Sequence, residues 1–117
     1  MRLGIVGCRA RDTEHDLMLV EHEYLRLALE CDSIVSGGCP RGGDRFAEVI
    51  AKKWNVPIKI YPAEWNKHGM SAGYKRNIYI ANDADVLIAC VAKDRKGGTE
   101  DTIRKYLDQG KKRLILV

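Results

Sequence analysis

The feature that most constrains the fold is a repeating switch in hydrophobic period. Five short apolar runs, Arg2–Val6, Ser33–Val35, Pro57–Tyr61, Val86–Val91 and Arg113–Val117, alternate with stretches of helical spacing. The runs are rich in Ile, Val and Leu and do not alternate simply between apolar and polar residues. Burial on both faces of a parallel sheet produces that pattern. The order β-α-β-α-β-α-β-α-β therefore implies a parallel five-stranded sheet with helices on both sides, a three-layer α/β/α sandwich. Right-handed crossovers favour the strand order 3-2-1-4-5, with the order reversing between the first and fourth strands.

The helices have their own local signals. The first is expected from Glu14 to Glu30, capped by Asp12 or Thr13, with Glu14 and Asp16 at the positive end of its dipole. The second is expected over Gly43–Trp54, with Phe46, Ala47, Ile50 and Trp54 on its inner face. The third covers Gly73–Asn82. The last covers Thr99–Gln109, with Ile103, Tyr106 and Leu107 inward and Gly110 as a left-handed terminator. The stretch Pro62–Ala72 reads as a long non-helical insert and a candidate binding loop.

A length of 117 residues suits one domain spanning 1–117 and suffices for a core without metals or disulfides. No window approaches the ~20 apolar residues of a membrane span. Arg2 and the short run after it do not form a signal peptide, so a cytoplasmic protein is expected. The net charge of +4 is mild and spread along the chain; a nucleic-acid footprint is normally denser, and the excess suits a phosphorylated small molecule at least as well. The four cysteines lack CxxC spacing, and no histidine stands at a zinc-like distance from them. Cys8, Cys39 and Cys90 fall near the ends of neighbouring strands, where three small buried residues are the simpler reading than a metal or redox site. Neither a metal nor a cofactor is expected.

Ligands of such sheets bind at the carboxyl ends of the strands near the switch point. Three loops reach that edge: Gly7–Arg11, Ser36–Asp44 and Lys93–Thr99. The second holds Ser36-Gly37-Gly38-Cys39-Pro40-Arg41-Gly42-Gly43-Asp44. Its glycines permit close backbone approach, and the following helix start favours an anion. Arg41 can add a fork of donors. Asp44 can bind a ribose hydroxyl or cap the second helix. The third loop places Lys93, Arg95 and Lys96 before Gly97-Gly98-Thr99, where Thr99 can cap the last helix or touch a phosphate. Glu100 and Asp101 in its first turn are the candidate catalytic groups, with stabilisation of the helix dipole as the alternative. Trp65 and Tyr61 can stack on a base or pack the insert down. His68 is a lesser candidate acid or base. Strand one ends in Gly7-Cys8-Arg9, without GxGxxG, and no GxxxxGK[ST] occurs, so a dehydrogenase and a P-loop NTPase are disfavoured.

Gly7-Cys8-Arg9, Ser36-Gly37-Gly38 with Arg41-Gly42-Gly43-Asp44, Tyr61-Pro62-Ala63-Glu64-Trp65 with His68-Gly69, Ala72-Gly73 with Arg76-Asn77, and Gly98-Thr99 occur in order along nearly the whole chain. Together they resemble the YspA/YpsA-related branch (DUF2493) of the SLOG superfamily. The resemblance implies a Rossmann-like fold that binds nucleotides or nucleotide-derived signals. The superfamily includes the LOG phosphoribohydrolases and the DNA-processing protein DprA, and homodimers are common in it. The resemblance also makes Arg76 and Asn77 ligand-binding residues, with Arg76 the cation for a ligand phosphate and a surface salt bridge as its alternative. The chain departs from the family where GGxGT is usual: Arg95 and Lys96 replace the first two glycines, and Gly97 takes the variable position. Thr102 stands where the hydrolases carry a glutamate, and Tyr74 replaces a common proline. These departures favour a domain that senses or sequesters its ligand over a nucleoside-monophosphate phosphoribohydrolase, with DprA-like binding of single-stranded DNA third.

Overall fold

The central strands, β1 (Arg2–Gly7) and β4 (Val86–Cys90), lie side by side in parallel register from Leu3 opposite Val86 to Gly7 opposite Cys90. Around them β2 (Ser33–Ser36), β3 (Ile58–Ile60) and β5 (Leu114–Leu116) complete a parallel sheet of order β3-β2-β1-β4-β5. The expected strand order and doubly wound, Rossmann-like layering are both realised. This computed structural model describes residues 1–117, apart from the side chain of Met70.

Two-sided burial of the inner strands β2, β1 and β4 follows from their sequence, whereas the edge strands β3 and β5 are only partly buried. Leu3, Ile5, Ile34, Val86 and Ile88 point to one face, where they meet Val20 and Tyr24 of α1 (Glu14–Leu27) and Phe46, Ala47 and Ile50 of α2 (Gly43–Trp54). The alternate residues Val6, Val35, Leu87 and Ala89 meet Ile80 and Ala81 of α4 (Ala72–Asp83) and Ile103 and Tyr106 of α5 (Gly98–Asp108). Consecutive strand side chains alternate between faces, so a run with helices on both sides has no solvent face to leave polar. Buried Tyr106 satisfies its hydroxyl by donating to the carbonyls of Asp85 (2.8 Å) and Arg113 (3.1 Å).

Several local expectations change. Thr13 is the cap of α1, in a reciprocal capping box with Asp16, and the helix ends at Leu27 rather than Glu30. Trp54 is 44% exposed and does not join the inner face of α2. Its indole instead donates to Glu21 (2.9 Å) and lies against Tyr24, so the ring bridges α2 to α1 at the surface. Leu107 is also exposed. The neighbouring Tyr106 fills the inward position, and one step along a helix turns the next side chain away. The insert Pro62–Ala72 is not wholly irregular. It holds a one-turn helix α3 (Trp65–His68) and a 3-10 turn (Gly69–Ser71) leading into α4. Gly110, at φ +80°, has the left-handed conformation expected after the last helix. Among the described residues no helix is long and apolar enough to cross a membrane.

Candidate functional site

The strand ends carry two adjoining hollows. The first, of about 450 Å³, lies between the end of β1, the first turn of α5 and one face of α4. The second, of about 310 Å³, lies between the β2–α2 loop and Pro62–Trp65. Arg9, Cys39, Trp65 and Arg76 border both.

The loops are held by backbone contact and buried polar groups. The start of α2 presses on the end of β1 so closely that a Cβ on Gly43 would overlap the main chain of Val6 and Gly7, and one on Gly42 would overlap the carbonyl of Cys8. Gly42 also has φ +73°, a conformation that disfavours side chains. Its N–H donates to Asp12 Oδ1 (2.7 Å), which also takes Nε of Arg45 at 2.7 Å. These bonds hold the Asp12 carboxyl below its ordinary range. Both glycines are buried, and neither borders the hollows. Their lack of side chains serves helix-to-strand packing.

Ser36 is buried beneath the second loop. Its hydroxyl donates to the Ile5 carbonyl (2.5 Å) and lies 3.1 Å from Asp44 Oδ1. Asp44 also takes the Cys39 N–H at 3.1 Å. It is not the α2 cap: that position belongs to Gly42, and no side chain caps the helix. Burial pushes the Asp44 carboxyl up, against the lowering effects of the Cys39 N–H and the Arg76 charge. Asp44 borders the first hollow.

Arg76 is half-buried on α4 and donates Nη1 to the carbonyls of Gly37 and Tyr61, the latter at 3.2 Å. Its Nε donates to Asn77 Oδ1 at 3.1 Å. Among the described residues no carboxylate lies within ion-pair distance of its guanidinium, and Nη2 has no protein partner. Asn77, nearly fully buried, passes the link onward by donating to the Gly98 carbonyl (3.2 Å) and Asp101 Oδ2 (3.1 Å). One side-chain relay thus fixes α4 to the β2–α2 loop on one side and to the start of α5 on the other.

The start of α5 faces the first hollow with Gly97, Gly98 and Thr99. Its cap is Gly97, at φ +105°, and no side chain caps the helix. Thr99 therefore lies within the first turn and is not its cap. The leading N–H groups of such a helix lack intrahelical partners and carry the positive end of its dipole. Lys96 borders the same hollow. Among the described residues the side chains of Arg9, Arg41 and Lys96 have no hydrogen-bond or ion-pair partner, and all three border one hollow or both.

Most of the residues singled out in the sequence gather here. Gly7, Cys8, Asp44, Asn77 and the glycines of α5 border the first hollow, and Gly37, Gly38 and Arg41 border the second. Glu100 and Asp101 border neither. Glu100 forms a two-pronged pair with Arg95 (2.7 and 2.9 Å). Asp101 is buried and engaged by Arg104 (2.5 Å), Lys105 (2.7 Å) and Asn77. Tyr61 stacks on Tyr79 at 5.8 Å and donates to Asp83, which packs the insert down. His68 meets Lys75 (3.3 Å) beside a separate groove on the outer side of α4. Among the described residues no three His, Cys, Asp or Glu side chains converge on a metal position.

Gly73, Tyr74, Ile80 and Thr102 also border the first hollow and were not singled out as binding residues. The available signal was helical spacing: Gly73, Arg76, Asn77 and Ile80 recur at one face, as do Thr99 and Thr102.

No protein-family model and no curated protein matches the chain. Among solved structures it is similar to the molybdenum cofactor binding protein of the phototrophic bacterium Rippkaea orientalis. The two share 25% identity with a TM-score of 0.76, over 98% of this chain and 74% of that one.

Proposed function

We infer that this protein is a binding module that holds a phosphorylated small molecule, a nucleotide or nucleotide derivative, at the carboxyl ends of its strands. The observation that carries this reading is Arg76: a guanidinium pinned by two carbonyls, bordering both hollows, with no carboxylate within ion-pair distance among the described residues. A fixed fork of donors with Nη2 free suits phosphate oxygens. The uncapped start of α5 and the partnerless Arg9, Arg41 and Lys96 support it, because converging positive potential favours an anion. Membership of the SLOG branch that the motifs resemble belongs to the same proposal.

Holding is favoured over cleavage. Hydrolysis of an N-glycosidic bond needs a carboxylate within reach of the reacting carbon or its water. Glu100 and Asp101 are both engaged by cations away from the hollows, and Asp44, the one carboxylate at the first hollow, is tied to Ser36 and the Cys39 N–H. The molybdenum cofactor is a second candidate ligand, supported by the similarity to the Rippkaea orientalis protein across nearly this whole chain.

Thermal denaturation with a panel of mononucleotides, dinucleotides, ADP-ribose and molybdenum cofactor tests the reading. A ligand that binds only the folded state, present at a hundred times its dissociation constant, adds about 2.7 kcal/mol and raises the midpoint by several degrees. A flat response to the whole panel overturns the proposal. Release of free base from AMP or CMP returns the hydrolase reading.

A further inference from the structure

The two hollows are too alike in chemistry, and too closely joined, to be one site and one accident. We propose that they form a bipartite site for a two-headed ligand: two nucleoside-like groups joined through a pyrophosphate. This rests on the anion-holding reading above and specifies its ligand class.

Charge is the first argument. Arg9 and Arg76 stand in the shared wall, while Lys96 borders only the first hollow and Arg41 only the second. Apart from Asp44, no carboxylate borders either hollow among the described residues. A single phosphate monoester would leave much of this charge unanswered. A pyrophosphate on the Arg9–Arg76 saddle answers the shared pair and leaves one cation to meet polar groups at each end.

Each hollow also has an apolar side for a planar ring. Val6, Ile80 and Tyr74 supply it in the first, and Pro40, Pro62 and Ala63 in the second. Trp65 borders both, and its indole lies beside Gly73, where an added Cβ would stand 3.6 Å from it. Pockets that take organic ligands combine mostly apolar walls with a few placed polar groups. The first hollow has mostly apolar walls and the second is more polar, and one guanidinium borders both. The two volumes, about 450 and 310 Å³, are separately small and jointly suit an extended ligand.

Asp44 fits the same scheme. It is the one carboxylate facing the first hollow, and its oxygens are partnered by Ser36 and the Cys39 N–H. Each oxygen has capacity for a second donor, so a ligand hydroxyl or amino group finds an acceptor there. The first hollow is therefore the side for the head with donors, and the second for the head bound by shape and Arg41.

Calorimetric titration of the full chain with ADP, inorganic pyrophosphate and P1,P2-di(adenosine-5′) diphosphate tests the inference, repeated with the guanosine series. All carry a pyrophosphate; they differ in having one, no or two heads. The expected result is at least tenfold tighter binding of a two-headed probe than of its one-headed partner. Arg41→Ala and Lys96→Ala, both at exposed side chains without protein partners, should each weaken the two-headed probe at least fivefold. Equal binding of one- and two-headed probes overturns the bipartite site and leaves the anion-holding module standing. So does loss of affinity in only one of the two variants. Absence of binding by every probe, pyrophosphate included, overturns both.

Discussion

Arg76 reaches the carbonyl of Gly37 because Gly37 has no side chain: a Cβ there would meet the guanidinium and stand 2.7 Å from Asp44 Oδ2. The glycine is thus specified by an arginine 39 positions away. Arg76→Ala removes the donor fork, and charge-assisted hydrogen bonds of this kind contribute about 1.5–3 kcal/mol each. Affinity for a phosphorylated ligand should fall by roughly one to two orders of magnitude. Arg76→Lys should recover little of it, because an ammonium cannot span Gly37, Tyr61 and a ligand at once. Gly37→Ala should reproduce much of the Arg76→Ala loss by displacing the guanidinium. Titration of all three variants checks the chain of effects; full affinity in Gly37→Ala would break it.

Gly43 gives a test of packing with no ligand involved. Its added Cβ would fall within the main chain of Val6 and Gly7, and backbone cannot rotate aside as a side chain can. Overpacking usually costs about 1–3 kcal/mol and more where the obstacle is rigid. Gly43→Ala should therefore lower the melting midpoint by many degrees or prevent folding. Gly98→Ala, where the nearest atom is Asn77 Nδ2 at 3.9 Å, should be tolerated. Chemical denaturation of the pair separates glycines required by packing from glycines with room to spare.

These glycines mark where the sequence was legible and where it was not. The parallel sheet could be read because strands buried on both sides have a distinctive composition, which Leu3, Gly4, Ile5 and Val6 display, and right-handed crossovers then favoured its order. The loops could be placed because turns and helix starts have local signals. Gly42 and Gly43 carried no sign of whether a ligand or a neighbouring strand needed the space, since that depends on Val6–Cys8, far away in the chain. Trp54 and Leu107 show the same limit: both sit at an apolar position of a helix, yet Trp54 turns to Glu21 and Tyr24 at the surface, and Tyr106 takes the inward place beside Leu107. The Arg76–Asn77–Asp101 relay joins three elements through side chains, so it had no period to betray it.

Asp44 makes the site sensitive to pH. Burial raises its carboxyl above the ordinary 3.8, so the folded protein takes up this proton before the unfolded chain does. The stability linked to Asp44 is therefore fully present below 3.8 and is lost as pH rises through the raised folded value. The same protonation removes a negative charge from the wall of an anion site. Affinity for P1,P2-di(adenosine-5′) diphosphate should rise as pH falls through the raised Asp44 value, and Asp44→Asn should abolish that slope. Overall stability is the wrong readout. The lowered carboxyls of Asp12, Asp16 and Glu21 act in the opposite sense, their contributions being lost as pH falls through their lowered values. Isothermal titration at several pH values, comparing wild type with Asp44→Asn, checks the sign.

Asp101 and Glu100 separate structural acids from chemical ones. Asp101 is 4% exposed and joins Asn77 to Arg104 and Lys105. Removing one member of a buried ion pair leaves its partners uncompensated and can cost 3–5 kcal/mol. Here Arg104 is largely exposed and can recover water, which leaves about 1–3 kcal/mol for Asp101→Asn. Glu100 meets Arg95 near the surface, so Glu100→Gln should change stability by less than about 1 kcal/mol. Denaturant titration gives both values. The same variants, incubated with AMP and CMP and analysed by chromatography, should match the wild type in releasing no base. Base release by wild type that disappears in Glu100→Gln would instead show that this carboxylate leaves Arg95 to act on a bound nucleotide.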